Sequence, residues 1–405
     1  MRRLLVRDLA QLATPGAGTT PRRGAELVAV DVVEDAYVLC VGDRIEALGR
    51  MRDLPALDVD VDEFDGRGLC AVPGLVDCHT HPAWGGDRVE EFSLRAAGAS
   101  YEELHAVGGG ILATVSATRA LGAEGLRERV ERHAGWMLRH GTTTWEGKSG
   151  YGLDRETELA SLAAVRDAGG SPTWLGAHSV PPEFDDANAY LDFALGEVLP
   201  EAARIAEAAD VFLERGAFDA AQARRYLEAC REAGLPLRLH GDQFTESGAI
   251  ALALELGARS VDHLEATGPE GVRSLAASSV VGVLLPASAL FLDRPMPPAR
   301  ALADAGAALA LATDFNPGSS FTTSLPLICS LACTQLHLSP EEAFTAVTVN
   351  AAHVLGCAED RGRLTPGLRA DVTLFDAPDW RYLAYHLAGD VVAAVIRSGA
   401  LAFRR

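Results

Sequence analysis

A chain of 405 residues, 48% hydrophobic and 23% charged, is long enough to bury one large core and a smaller second one. Its formal charge of −20 at pH 7 repels phosphate backbones and anionic surfaces, which argues against nucleic acid and membranes as partners. No apolar run reaches the roughly 18–20 residues of a spanning helix, and Met1-Arg2-Arg3 leads into Asp8 and Gln11 rather than a signal-peptide core, so a cytoplasmic protein is expected.

In chain order, the first elements are short alternating strands at Leu4-Leu5-Val6, Ala29 to Val33 and Tyr37 to Val41, with Gly42-Asp43-Arg44 as a hairpin turn. Strand-like segments return at Ala370 to Phe375, Val391 to Ile396 and Ala400 to Phe403. Chain ends often lie close together, so residues 1–72 and 364–405 are expected to form one discontinuous β-sandwich domain.

Between them, over residues 73–363, the pattern becomes strand then helix. Eight short apolar strands are predicted: Leu75 to His79, Thr142 to Gly147, Thr173 to Ala177, Asp210 to Leu213, Pro236 to His240, Ser260 to His263, Val280 to Leu285 and Ala307 to Ala312. Helices are predicted at Glu124 to Arg139, Arg155 to Ala168, Ala220 to Ala233, Gly248 to Leu256 and Pro298 to Ala305. Eight such units make a (β/α)₈ barrel, which carries its catalytic groups at the C-terminal ends of its strands. A doubly wound open sheet competes, but no phosphate-binding glycine motif follows a strand. Gly108-Gly109-Gly110 lacks the Lys and Ser/Thr of such a loop and reads as a mobile turn covering the site.

Ligand-type residues sit at those strand ends. The first strand runs into His79-Thr80-His81, and the period of 2 turns both imidazoles to one face. His240 ends the fifth strand, His263 the sixth, and Asp314 follows the eighth. Nitrogen and oxygen donors of this kind suit Zn²⁺ or iron (Fe²⁺/Fe³⁺), and three imidazoles with one carboxylate leave room for a water that the metal acidifies. The pattern is that of a hydrolase. The seven cysteines are scattered, without a C-x-x-C pair, and read as reduced core residues. Cys78 points away from His79, and Cys329 and Cys333 share one face of a core helix.

The order His-x-His, His, His, Asp at the first, fifth, sixth and eighth strands resembles the amidohydrolase superfamily. Longer segments resemble its imidazolonepropionase family: His81 to Arg88, Gly98-Ala99-Ser100-Tyr101, Gly108 to Ile111, Lys148-Ser149-Gly150-Tyr151-Gly152-Leu153, Gly176-Ala177-His178, His240-Gly241-Asp242-Gln243, Asp262-His263-Leu264 and Ala312 to Ser319. The resemblance implies hydrolysis of the cyclic amide of 4-imidazolone-5-propanoate to N-formimidoyl-L-glutamate by a homodimer. It implies one metal per chain, held by His79, His81, His240 and Asp314. Arg88, Tyr151, His178, Gln243, Asn316, Gly318 and Ser319 would bind substrate or product, and Asp314, His263 and Gln243 would form the catalytic set. Arg88 offers a planar fork for the propionate. Gln243 stands where some members carry Glu; an amide orients but does not titrate, which shifts proton transfer to His263 and Asp314. Lys148, the only lysine, is not expected to bridge two metals, because two-metal members carry that lysine on the fourth strand, here Val211-Phe212-Leu213-Glu214. Asp379 to His386 is an aromatic loop suited to a dimer interface. Two other readings are a guanine- or cytosine-type aminohydrolase, which has no need of Arg88 and Ser319 for a propionate, and a non-catalytic relative, against which the complete ligand set argues.

Overall fold

The computed structural model describes residues 2–18, 20–57, 60–98 and 110–405. Both chain ends enter one eight-stranded sheet. Its strands are β1 (Arg3–Pro15), β2 (Val30–Val41), β3 (Arg44–Arg50), β4 (Asp62–Asp65), β5 (Cys70–Pro73), β14 (Val372–Phe375), β15 (Val392–Arg397) and β16 (Ala400–Arg404). The order is β16-β15-β14-β5-β1-β2-β3, with β4 beside β1. The N- and C-terminal segments meet where β5 pairs antiparallel with β14, from Val372↔Pro73 to Phe375↔Cys70.

The first strand is longer than the sequence predicts, and the two strands predicted at Ala29 to Val33 and Tyr37 to Val41 are one, β2. β1 and β2 pair from Arg3↔Val41 to Pro15↔Val30. Their apolar alternation breaks at Arg7-Asp8 because the ladder carries a bulge between Val6 and Leu9, with Asp8 at φ 55°. An isolated reading takes that break for a strand end.

The remaining strands, β6 (Leu75–Asp77), β7 (Thr142–Lys148), β8 (Ser171–Ala177), β9 (Ala208–Leu213), β10 (Leu237–Gly241), β11 (Ser260–His263), β12 (Val281–Leu284) and β13 (Leu309–Leu311), lie parallel and in sequence order. The ring closes through backbone beyond the first and last: Asp314 N–H donates to His79 O (3.0 Å), His81 N–H to Phe315 O (2.9 Å), and Thr80 pairs with Phe315. This is the predicted (β/α)₈ barrel, and closure excludes the open sheet. Gly74 passes the chain from β5 to β6 so tightly that a Cβ there would fall 2.1 Å from Thr143 Oγ1.

Helices cover the barrel as the periodicity predicts, at Arg155–Asp167, Ala220–Glu232, Ala249–Leu256 and Ala299–Ala305. Asp154 and Asp219 cap the first two through Thr157 N–H and Gln222 N–H. The helix predicted from Glu124 instead begins at Ile111 and runs to Arg139, broken at Gly122 (φ 66°). Outward-facing Val211, Leu239, Val261 and Leu284 join the helices in the main core. No helix among the described residues is long and apolar enough to cross a membrane.

Candidate active site

Backbone closure brings the first and eighth strand ends together, and with them the first donors. His79 Nε2 and His81 Nε2 are 3.3 Å apart, and Asp314 Oδ1 lies 3.6 and 3.4 Å from them. The His240 ring is 4.5 Å from His79, centre to centre, and 5.3 Å from His263. Ring nitrogens of His79, His240 and His263 also fall within 4.8 Å of one another. The two groups share His79, so all five residues the sequence singled out gather in one deeply buried cluster. His263 and Asp314 hold φ of 86° and 52°, uncommon for residues with a Cβ and concentrated at functional sites.

These residues fit a metal. Two bonds of about 2.0–2.2 Å at a tetrahedral angle set ligand atoms about 3.4 Å apart, as between the two Nε2 atoms and Asp314 Oδ1. His240 Nε2 has no hydrogen-bond partner among the described residues, while its Nδ1 lies 3.0 Å from Asp210 Oδ2. Buried polar atoms left so are rare, and a cation among them accounts for the arrangement. His79 Nδ1 meets Asp262 Oδ2 at 2.6 Å, an outer partner that fixes the ring and leaves Nε2 facing the centre. Cys78 is absent from this set: it packs with Val76, Val281 and Ala308, and burial pushes its thiol well above the ordinary range. Lys148 is also not a ligand. Burial opposes its charge, but Asp210, Glu146 and Asp262 outweigh burial and hold it as an ammonium.

Above the histidines opens a cavity of about 470 Å³, lined among others by Arg88, Tyr151, His178, Gln243, Asn316, Gly318 and Ser319. His178, just beyond β8, approaches Gly150 O with Nδ1 at 3.0 Å, and burial lowers its pKa to about 3. The ring is neutral. With the proton on Nδ1, Nε2 is an acceptor. Gly150 stands at φ 100°, and a Cβ there would come within 2.7 Å of Leu175 O. Its loop is built on Glu158, whose Oε1 accepts from Gly150, Gly152 and Leu153 N–H at 2.9–3.0 Å. Tyr151, on the same loop, packs with Trp84 and Phe315, and burial raises its pKa so that it keeps its O–H.

Across the cavity, the Arg88 fork is held by Glu91: Nε reaches Oε2 at 2.6 Å, Nη2 meets the same oxygen, and Gly110 N–H donates to it at 2.9 Å. Gly318 lies against Arg88, where a Cβ would be 3.2 Å from Nη1. Asn316 spends its amide on the turn: Oδ1 accepts from Gly318 and Ser319 N–H at 2.8 Å, while Nδ2 donates to Asp314 O at 2.6 Å. Ser319 Oγ lies 3.4 Å from Asp314 Oδ2.

The sequence reading did not pick out Glu91, Glu158, Asp210, or the arginines Arg95 and Arg294 at the cavity wall. The i,i+3 spacing of Arg88 and Glu91 was the one available signal. Ala99-Ser100-Tyr101 and Gly108-Gly109 lie outside the described residues, and with them the expected covering turn.

Residues 102–403 match the family described as "Amidohydrolase family". The imidazolonepropionase of Rubrobacter xylanophilus is 60% identical, over 98% of both chains, and that of Chloroflexus aggregans is 46% identical, over 98% of this chain and 97% of its own. Among solved structures, E. coli guanine deaminase superposes with a TM-score of 0.74 at 17% identity over the whole of both chains, a likeness of fold alone. The chain belongs to the amidohydrolase family, a family of metal-dependent hydrolases with this barrel and a histidine-rich site at its mouth. Within it, the identity over nearly full length sets the chain among the imidazolonepropionases, as the motifs implied.

Proposed function

We propose that this site opens the ring of 4-imidazolone-5-propanoate by hydrolysing its cyclic amide C–N bond, giving N-formimidoyl-L-glutamate, with one divalent ion, zinc or iron, held by His79, His81, His240 and Asp314. The observation that carries the reading is the convergence of two Nε2 atoms and one carboxylate oxygen at 3.3–3.6 Å beneath a cavity walled by arginine. The ion supplies Lewis acidity and makes water a nucleophile near neutral pH.

The chain's own groups divide the remaining work. Arg88 holds the propionate in its fork, taking it in place of Glu91. Tyr151 donates its O–H to the ring carbonyl and the oxyanion developing there, and His178 Nε2 accepts from a ring N–H. Asp314 takes the proton from the attacking water, His263 gives one to the ring nitrogen as the C–N bond breaks, and the proton on Asp314 then passes through solvent to His263, restoring both groups. Gln243 orients substrate, while Asn316 and Gly318 shape the turn on which Ser319 faces it. The homodimer is assigned to the aromatic segment where Tyr385 and Leu387 are 78% and 62% exposed, and sedimentation equilibrium of the chain and of Tyr385→Glu checks it.

Turnover of freshly made 4-imidazolone-5-propanoate by metal-analysed protein is the test. Metal-loaded protein that leaves that ring intact, or that releases ammonia from guanine or cytosine, would overturn the reading. Arg88→Ala should cost on the order of 1.5–3 kcal/mol of substrate binding, a KM raised roughly 10- to 150-fold, and Arg88→Lys should restore part of it. Unchanged kcat/KM in Arg88→Ala would move the propionate elsewhere.

A further inference from the structure

Beneath the histidines, where barrels of this kind are usually filled with branched apolar side chains, the interior carries a charged cluster. Glu146 and Lys148 on β7, Asp210 on β9, Arg238 on β10 and Asp262 on β11 are all fully buried. Arg238 is occupied by Glu146, by Thr173 Oγ1 at 2.9 Å and by Val354 O at 3.1 Å. Lys148 is placed differently. Its Nζ lies 2.6 Å from Asp210 Oδ2, 2.8 Å from Glu146 Oε2 and 3.8 Å from Asp262 Oδ2.

Two of those carboxylates stand directly behind proposed ligands. Asp210 Oδ2 lies 3.0 Å from His240 Nδ1, and its other oxygen accepts the His240 backbone N–H at 3.1 Å. Asp262 Oδ2 meets His79 Nδ1 at 2.6 Å. One ammonium thus joins the groups that orient two imidazoles from different strands. The chain has 36 basic residues, and this is its only lysine. A compact head with three donors fits a point among three carboxylate oxygens, which a planar guanidinium does not.

We propose that Lys148 is a positioning residue of the metal site: its ammonium fixes Asp210 and Asp262, and through them turns His240 Nε2 and His79 Nε2 toward the ion. The inference rests on the metal assignment made above. The alternative is that Lys148 only balances buried charge, with no tie to the ion.

A chain with a single lysine permits a test without mutation. Protein labelled with [15Nζ]lysine gives one ammonium resonance, recorded on chelated protein and after reloading with Zn²⁺. It should move on loading. In Lys148→Met, the rate of zinc loss to a chelator should rise about 10-fold or more, and the absorption spectrum of the Co²⁺-substituted protein should change, a signature that charge balance alone would leave alone. An unmoved lysine resonance in protein that binds zinc overturns the inference, as does a folded Lys148→Met with the wild-type release rate and Co²⁺ spectrum. Should Lys148→Met fail to fold, the wild-type resonance decides alone. Wild-type protein that binds no metal overturns the metal assignment, and this inference with it.

Discussion

Asp314→Ala should give a folded protein that holds no metal after gel filtration and opens no imidazolone ring. Asp314 contributes the one carboxylate at the centre, with Oδ1 3.4 Å from His81 Nε2 and 3.6 Å from His79 Nε2. Losing an outer partner of a metal ligand costs roughly 10- to 100-fold in affinity or activity, so losing the ligand itself should exceed that. The fold should survive because barrel closure uses the Asp314 backbone, whose N–H donates to His79 O. Alanine at φ 52° is strained by about 1–2 kcal/mol. Asp314→Asn, better tolerated in that conformation, separates strain from the loss of a charged ligand. Metal analysis and circular dichroism on both variants make the check. Full metal content in Asp314→Ala would leave the ion to His79, His81 and His240 and remove Asp314 from the ligand set.

Much of this centre was legible because the barrel's rule is local. A strand's period of 2 and a polar residue at its C-terminal end are visible one strand at a time, which is how His79, His81, His240, His263 and Asp314 could be gathered. The charged cluster was not legible in that way. Glu146, Lys148, Asp210, Arg238 and Asp262 interrupt their strands, and only closure of the ring brings side chains from β7, β9, β10 and β11 within ion-pair distance. Arg88 shows a second limit: the family resemblance marked its fork for a carboxylate, and the i,i+3 spacing to Glu91 does not by itself say that Glu91 already occupies it. At the N-terminus a bulge at Asp8 made the 13-residue β1 read as ending at Val6, since a local break in alternation looks the same whether the ladder ends or only slips.

The role of His263 is where geometry leaves two chemistries to be separated by measurement. A ring nitrogen of His263 lies within 4.8 Å of those of His79 and His240, close enough for a ligand. Its Nδ1 is 3.4 Å from Glu265 Oε1, an arrangement that holds the ring from outside and leaves Nε2 to carry a proton. The reaction requires such a group. The attacking water must lose a proton and the departing ring nitrogen must gain one, and Gln243 has none to exchange. Asp314 alone would have to turn from one partner to the other, whereas Asp314 and His263 at the mouth of one barrel can divide the two transfers. His263→Ala should therefore lower kcat by roughly 10² to 10⁴ while the metal content stays near that of the wild type. Because His263 sits at φ 86°, strain is controlled by His263→Asn, which tolerates that conformation better than alanine and restores no titratable group. Near-normal turnover in both variants would remove His263 from the mechanism. Loss of metal and rate together would make it a ligand, and the proton for the leaving nitrogen would then have to come from Asp314.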